Sequence, residues 1–239
     1  MEQWLPDATM QMIAAENNLA ETAFFVEEDG FHHIRWFTPA VEVNLCGHAT
    51  LATAHVLFQH MHFQGQVIKF RSRSGILLVN RSEDGYILDF PSDLPVETRD
   101  PSLVISSLLT RPVQVLQGKT DIMYVFDDEQ QVADFTPDLS AIAGLPARGL
   151  IITAPGLEVD FVSRFFGPQV GIPEDPVTGS AHTLLTPYWS ARLDKEELSA
   201  IQLSKRTGRL TCTMKGTRVL ISGRAITYLI GEIQLKHPL

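Results

Sequence analysis

The sequence predicts an α+β fold of two pseudo-symmetric domains, each a curved or barrel-like β-sheet around a central helix. The first observation behind this prediction is an internal repeat, because residues 35–41 (RWFTPAV) are echoed by residues 164–170 (RFFGPQV). The second is that each copy leads into a glycine and a helix-like run, at Gly47 and at Gly179. The third is that strand-like segments surround these helices without the regular alternation of a doubly wound parallel sheet.

The repeat indicates a duplicated domain. The arginines that open the two copies are 129 positions apart, and the two glycines are 132 apart. This separation is far longer than the period of a solenoid repeat, about 20–50 residues. We therefore expect two domains, 1–98 and 99–239, joined near the proline-containing stretch 91–101, with the last strand able to pack back on the first domain. The expected ligand site is a cleft between the two halves.

The first half of the chain contains two predicted helices. Residues 7–18 have apolar positions at helical spacing, with Asp7 as the expected N-cap. Residues 47–59 are apolar on all sides, which predicts a buried helix. Strands are expected at 22–26, 33–37, 67–70, 76–80 and 86–90, with Asp84-Gly85 as a hairpin turn before the last of them.

The second half repeats this plan. A short helix is expected at 101–109 and a long helix at 179–193. Strands are expected at 113–117, 122–126, 149–154, 209–214, 218–222 and 225–230.

Composition and charge exclude several classes of protein. The 239 residues carry a net charge of −9 with a pI near 5.3, which argues against nucleic-acid binding because phosphate contacts need clustered Lys and Arg. No run of about 18 apolar residues is present, so no membrane span is expected. Cys46 and Cys212 fit neither a disulfide framework nor a metal-binding spacing, and no signal peptide is visible. These features predict a cytoplasmic protein with two reduced thiols.

The two helix starts are candidate anion sites. A glycine allows a ligand to approach the backbone closely, and the first N–H groups of a helix have no partner within the helix. Gly47 and Gly179 could therefore hold a small carboxylate from two sides. The alternative, equally open from the residues alone, is that both glycines only allow close packing.

Polar residues near these helix starts are further candidates. Asp175 precedes a proline, which favours an extended backbone and leaves the carboxylate able either to cap the helix or to face a ligand. Ser180 could also be a cap. His48 lies at the start of a predicted buried helix, where a satisfied core histidine is the alternative to a catalytic one. The role of His182 stays open.

Glu21 and Cys46 are the candidates for proton transfer. Glu21 lies between a helix and an apolar strand, where partial desolvation suits a general acid or base, although a surface glutamate at a helix end is the alternative. Cys46 precedes Gly47, at the kind of helix start that activates thiols. A symmetric two-thiol epimerase would need a second cysteine at the position of Thr178.

Taken together, these motifs resemble one family. Glu21-Thr22 before an apolar strand, Trp36-Phe37-Thr38-Pro39 followed by residues 46–50 (CGHAT), and residues 174–181 (EDPVTGSA) resemble the PhzF family of phenazine-biosynthesis isomerases. The order and spacing match from residue 1 to about residue 235. The family is related in fold to diaminopimelate epimerase, so the resemblance implies two similar domains with the active site between them.

The resemblance also implies an activity and its residues. In the family's characterised isomerase, a glutamate moves a proton between two ring carbons without a metal or organic cofactor. Glu21 matches that glutamate, whereas His48 and Asp175 match residues that orient the substrate and assist proton transfer. The substrate-holding residues of the helix starts are matched by Gly47, Gly179 and Ser180. The expected partners are a small carboxylate substrate and a second copy in a homodimer.

The chain departs from the family pattern in two places. Family members usually begin with a strand and a Gly-Asn-Pro turn upstream of Glu2, and the sequence lacks both. We therefore expect an unpaired edge in the first domain and impaired folding or activity. Ala20 stands where relatives commonly carry serine. A non-catalytic small-ligand binding or interaction protein on the same scaffold is accordingly the alternative from another functional class.

Overall fold

The computed structural model describes residues 1–98 and 111–235, so the predicted helix at 101–109 lies outside the described residues. The chain divides into two compact units, one of Met1–Ile87 with Gly223–Leu239 and one of Leu88–Ser222. The predicted division between residues 98 and 99 stays a prediction. In the described part of the chain, no helix combines the length and apolar character needed to cross a membrane.

The described residues of the first unit form two helices and a set of paired strands. Its helices are α1 (Asp7–Asn17) and α2 (Gly47–Gln59). Its strands are β1 (Thr22–Glu28), β2 (Phe31–Phe37), β3 (Glu42–Val43), β4 (Val67–Ser72) and β5 (Gly75–Ser82), and β6 (Gly85–Pro91) runs across the boundary between the units. In the sheet, β1 pairs antiparallel with β2, β2 pairs parallel with β4, and β4 pairs antiparallel with β5. The short strand β3 pairs with β2.

The second unit repeats this pattern and extends it. The helices in its described residues are α3 (Glu129–Ala133), α4 (Leu139–Ala143) and α5 (Gly179–Leu193). Its strands are β7 (Val96–Glu97), β8 (Gln114–Gln117), β9 (Asp121–Val125), β10 (Gly149–Pro155), β11 (Phe161–Gly167), β12 (Ile172–Asp175), β13 (Glu197–Gln202), β14 (Gly208–Lys215) and β15 (Arg218–Gly223). Here β10, β11, β13 and β14 pair in the same order and directions as β1, β2, β4 and β5.

The repeated pairing confirms the duplication. In each unit one helix, α2 or α5, connects two parallel strands, and a short strand, β3 or β12, pairs with the strand that carries the repeat. Each unit also has its own apolar core. Met10, Phe24 and Phe37 meet in the first unit, whereas Tyr124, Ile152 and Phe166 belong to a larger cluster in the second, against which α3 and α4 pack.

The arginine of each repeat copy has the same structural task. Arg35 donates two hydrogen bonds of 2.8 Å to the carboxylate of Glu42, and Arg164 donates bonds of 2.7 and 3.2 Å to that of Glu174. Glu42 and Glu174 are 132 positions apart, like the two glycines. Such two-point ion pairs fix geometry as well as charge, so each one ties the repeat strand to the connection that leads to α2 or α5.

Two local predictions are wrong. Asp7 is the first residue of α1 rather than its N-cap, because the Pro6 carbonyl already accepts the first hydrogen bonds of the helix, from the N–H groups of Thr9 and Met10. The Asp7 carboxylate pairs with Arg35 at 2.8 Å instead. Residues 225–230 were expected to form a strand, but the described residues from 224 onward adopt no regular helix or strand. Their side chains alternate in the manner of a strand, yet Ile226, Tyr228 and Ile230 are 90, 98 and 77% exposed.

The helix predictions need one refinement. The bounds of α2 agree with the predicted 47–59, and those of α5 agree with the predicted 179–193. Only one side of α2 is buried, by Leu51, Ala54 and Leu57, whereas Val56 is 38% exposed. Apolar character on all sides of a helix therefore did not guarantee burial on all sides.

Candidate active site

Glu21 and His48 meet at the start of α2. Glu21 is the residue directly before β1, and His48 is the second residue of α2. The Glu21 Oε2 atom lies 3.0 Å from His48 Nε2, with the Glu21 side chain only 8% exposed and the His48 side chain 32% exposed. The contact is an ion pair when His48 is protonated. A buried carboxylate beside an accessible imidazole is an arrangement suited to proton transfer.

Cys46 completes this group. It is the N-cap residue of α2, but its side chain makes no capping hydrogen bond. Its Sγ atom lies 3.8 and 3.9 Å from the two ring nitrogens of His48. Burial raises the pKa of the Cys46 thiol; the nearby His48 opposes this rise and the charge of Glu21 adds to it. Because the pKa of Cys46 is raised overall, burial favours a neutral thiol here rather than a reactive thiolate.

The loop before α5 is fixed by buried hydrogen bonds. Asp175 is buried, and its Oδ2 atom accepts a 2.7 Å hydrogen bond from the Thr178 hydroxyl. The Gln202 side-chain amide bonds both ends of this loop. Its Oε1 accepts a 2.7 Å hydrogen bond from the Thr178 backbone N–H, and its Nε2 donates a 2.7 Å hydrogen bond to the Asp175 carbonyl. Asp175 is therefore held in one position at the entry to α5.

Ser180 accepts a hydrogen bond from Arg148, which forms an ion pair with Asp121, and the sequence analysis identified neither residue. Arg148 Nη1 donates a 3.0 Å hydrogen bond to Ser180 Oγ. The same guanidinium bonds both carboxylate oxygens of Asp121, at 2.9 and 2.5 Å, and lies over the Phe165 ring. The sequence contained one sign of Arg148 as a site residue, because this charged residue directly precedes the apolar run of β10, as Glu21 precedes β1.

Strand pairing shows what the second unit has at the position of Glu21. Thr22 pairs with Phe37 in the first unit, and Leu150 pairs with Phe166 in the second. Because the two phenylalanines are equivalent in the repeat, the counterpart of Glu21 is Gly149. A Cβ atom there would lie 2.5 Å from the Phe165 ring and 2.6 Å from the Phe166 carbonyl oxygen, so a side chain would require rearrangement.

His182 has a structural environment. It is fully buried, and its Nδ1 lies 2.8 Å from the Thr178 carbonyl oxygen one helical turn earlier. Burial lowers the pKa of His182 to about 4, an effect that the bond to the Thr178 carbonyl partly opposes. The ring is therefore neutral at pH 7, with Nδ1 as the donor.

The predicted residues thus form two groups, each within its own unit. Glu21, Gly47 and His48 lie together in the first unit; Asp175, Gly179 and Ser180 lie together in the second. Neither N-cap, Cys46 nor Thr178, bonds the helix start through its side chain. The capping side chains therefore leave the first backbone N–H groups of α2 and α5 without a hydrogen bond from the cap. An anion site at a helix start requires such N–H groups.

A cavity of about 760 Å³ lies elsewhere in the second unit. Its lining includes Asp93, Lys119 and Arg218, and none of the predicted site residues belongs to it. Burial raises the pKa of the Asp93 carboxyl, although the Lys119 backbone N–H donates to it at 2.8 Å. The predicted catalytic and substrate-binding residues therefore lie outside this cavity.

Comparisons with known proteins agree with the fold and the motifs. A PhzC-PhzF family model, described as phenazine biosynthesis-like protein, matches residues 2–231. An uncharacterized isomerase of Pseudomonas aeruginosa is 50% identical over 235 residues, which cover 98% of this chain and 90% of that protein.

Solved structures extend the comparison. A crystal structure of a PhzF family phenazine biosynthesis protein from Enterococcus faecalis superimposes with a TM-score of 0.90 at 48% identity, covering 98% of this chain and 90% of that one. A probable proline racemase from Agrobacterium radiobacter, solved with bound carbonate, has a TM-score of 0.67 at 9% identity over 96% of this chain and 82% of its own, which shows a shared fold alone. The predicted epimerase-like α+β fold is confirmed, and the chain belongs to the PhzC-PhzF family of phenazine biosynthesis-like proteins.

Proposed function

We propose that this chain is a cofactor-independent isomerase that moves a proton on a small carboxylate-bearing metabolite, with Glu21 as the acid/base group. The observation that carries the proposal is the 3.0 Å contact between the buried Glu21 carboxylate and His48 at the start of α2. Membership of a family with relatives named isomerase supports the reaction class.

In the proposed reaction a single group carries out both proton-transfer steps. The Glu21 carboxylate removes a proton from one substrate carbon, and the resulting carboxylic acid returns a proton to another. The substrate gains and loses no electrons overall, so the proposal requires no redox partner. His48 orients the carboxylate and supports its change of charge. This use of a single base is typical of general acid–base catalysis, which contributes about 10²–10⁴-fold in rate.

Residues at the two helix starts are the binding groups in this proposal. Gly179 offers its backbone N–H as a donor, and the Ser180 hydroxyl can donate a hydrogen bond because its oxygen already accepts one from Arg148. Asp175, fixed by Thr178, orients the substrate. Gly47 plays the corresponding role at the start of α2. Donors aimed at the substrate carboxylate and at developing negative charge stabilise the transition state.

The cysteine-dependent epimerase is the weaker alternative. Burial raises the pKa of Cys46, which disfavours the thiolate that such chemistry needs. The position equivalent to Cys46 in the second unit is Thr178, and Cys212 lies instead in β14. Both cysteines are free, which supports the expected cytoplasmic setting.

The proposal is tested by proton exchange. The protein is incubated with a metabolite pool in deuterated water, and enzyme-dependent carbon-bound deuterium is followed by mass spectrometry. Glu21→Gln keeps the shape of the side chain but cannot cycle a proton, so exchange should fall about 10²–10⁴-fold. The matched control is Glu16→Gln on the exposed side of α1, which should exchange as wild type. Undiminished exchange by Glu21→Gln would remove Glu21 from the mechanism, and a metabolite that binds without any exchange would favour the non-catalytic alternative.

We also propose that the protein forms a homodimer. The supporting observation is the exposed apolar segment 226–235, which includes Ile226, Tyr228 and Ile230. The segment is anchored through the Thr227 hydroxyl, which lies 2.8 Å from His55 Nε2 and 2.6 Å from His60 Nε2. An apolar surface of this kind normally marks an interaction site.

Light scattering after size-exclusion chromatography tests this second proposal. The wild type should elute as a dimer, and the double variant Tyr228→Asp/Ile230→Asp should be a folded monomer. Leu157→Asp changes an exposed leucine of the second unit and should leave the dimer intact. A monomeric wild type would contradict the proposal.

A further inference from the structure

Three different metal-binding side chains converge at the start of α2. They are Glu21, Cys46 and His48, and one ligand atom from each can be chosen so that all three lie within 4.8 Å of one another. The Glu21 Oε2 and His48 Nε2 atoms are 3.0 Å apart, and Cys46 Sγ is 3.8 Å from His48 Nε2. Tetrahedral zinc, with bonds of about 2.0–2.3 Å, places its ligand atoms about 3.3–3.6 Å apart. The three side chains therefore need only small adjustments to share an ion.

A second observation also indicates a missing ligand. The Glu21 Oε2 atom is buried and accepts no hydrogen bond, because its 3.0 Å contact with His48 Nε2 lacks hydrogen-bond geometry. The Glu21 side chain is only 8% exposed. A buried carboxylate oxygen without such a bond is costly, and coordination to a cation would satisfy it.

The chemistry of the donors selects the class of ion. Thiolate and imidazole favour zinc-class transition metals over calcium or magnesium, which prefer oxygen ligands. With Cys46 as thiolate, the carboxylate and the thiolate carry two negative charges, which match one divalent cation. The ion itself displaces the thiol proton on binding. His48, the most exposed of the three residues, offers a route of access.

We infer that Glu21, Cys46 and His48 form a binding site for a zinc-class divalent ion, with a fourth coordination position left open. The ion would occupy the atoms that the proposed isomerase uses for proton transfer, so it acts as a reversible inhibitor rather than a cofactor. The inhibitory effect rests on the proposed function, whereas the binding of the ion does not.

Cobalt is the probe for binding. Co²⁺ is added to the metal-free protein of 239 residues, and absorption is recorded in the near ultraviolet, where a thiolate bound to Co²⁺ absorbs, and in the visible, where tetrahedral Co²⁺ absorbs. Wild type should show both bands, and Zn²⁺ should displace them. Cys46→Ser should lose the near-ultraviolet band. Cys212→Ser, the matched control at the other buried cysteine, should keep it.

Affinity provides a second measurement. Loss of an outer partner of a metal site already costs about 10–100-fold in affinity, so Glu21→Gln and His48→Gln should each weaken Co²⁺ binding at least tenfold. These two variants decide the matter if Cys46→Ser does not fold, as judged by circular dichroism. Absence of the thiolate band in wild type overturns the inference. So does a band that persists in Cys46→Ser or disappears in Cys212→Ser, or unchanged affinity in both Glu21→Gln and His48→Gln.

Exchange measurements separate this inference from the proposed function. Zn²⁺ should abolish deuterium incorporation by wild type, and a chelator should restore it. If Co²⁺ binds as expected but the protein exchanges no proton with or without chelator, the metal site stands and the proposed isomerase fails. If exchange occurs but Zn²⁺ leaves it unchanged, the inhibitory role fails.

Discussion

Lowering the pH from 7 to 5 should destabilise the protein through His182. This histidine is fully buried, its Nδ1 atom donates to the Thr178 carbonyl, and burial lowers its pKa to about 4. In the unfolded chain the same imidazole has an ordinary pKa of about 6.5. Between these two values the unfolded state binds the proton and the folded state does not. The contribution of His182 to stability is therefore complete above pH 6.5 and is lost progressively as the pH falls towards 4.

The size of the effect follows from the two pKa values. Between pH 7 and pH 5 the linkage relation gives a loss of about 2 kcal/mol in the free energy of unfolding, rising to about 3 kcal/mol when titration is complete. His182→Gln retains a donor for the Thr178 carbonyl but has no titrating ring. The pH dependence of this variant should consequently be weaker than that of wild type by about 2 kcal/mol over the same range.

Urea unfolding at pH 7 and pH 5 measures this difference, and NMR titration of the His182 ring measures its pKa directly. His62→Asn, at an exposed position, serves as the control and should follow the wild-type pH dependence. A His182 ring that titrates near 6.5, or a His182→Gln variant that loses as much stability as wild type between pH 7 and pH 5, would show that burial of His182 does not cause the pH dependence.

Two further predictions concern charge and thiol chemistry. Asp121→Ala removes the carboxylate that neutralises the largely buried Arg148, so unfolding by urea should show a loss of about 3–5 kcal/mol, and a variant as stable as wild type would contradict a structural role for the pair. Cys46 and Cys212 should both react slowly with iodoacetamide in the native protein at pH 7, because burial raises both pKa values, that of Cys212 to about 12. Mass spectrometry of native and urea-unfolded protein checks this, and fast native modification of Cys46 alone would revive the cysteine-dependent epimerase.

The scaffold could be predicted from the sequence because duplication leaves a local signal. The repeated segments 35–41 and 164–170 form equivalent strands, and the glycines after them begin helices with the expected bounds. In both copies the repeat arginine pairs with a glutamate and lies over the second aromatic residue after it, so the shared sequence pattern has a shared structure. The family and the epimerase-like fold followed from these motifs and are confirmed.

The errors concern features that depend on contacts distant in sequence. Asp7 has the side chain of a good N-cap, but the helix begins one residue earlier at the Pro6 carbonyl, and the Asp7 carboxylate pairs with the distant Arg35. Residues 225–230 have strand-like alternation, but alternation cannot show whether a partner strand is available. Arg148 and Asp121 were missed because their relation to Ser180 spans long stretches of chain. The assigned roles of Glu21, His48, Asp175 and the helix-start residues stay predictions.

The crowding at Gly149 restricts how this scaffold can evolve. Racemases that act from both faces of a carbon need two opposed acid/base groups, and a duplicated fold could supply the second by placing the same residue in both copies. Here the position that mirrors Glu21 lies against the Phe165 ring and the Phe166 backbone, so even an alanine would force a rearrangement. Acquiring a second base at that position would require a change at Phe165 and a shift of the backbone. On the proposed mechanism, proton removal and return are consequently confined to one carboxylate, which favours transfer along a single face of the substrate over inversion.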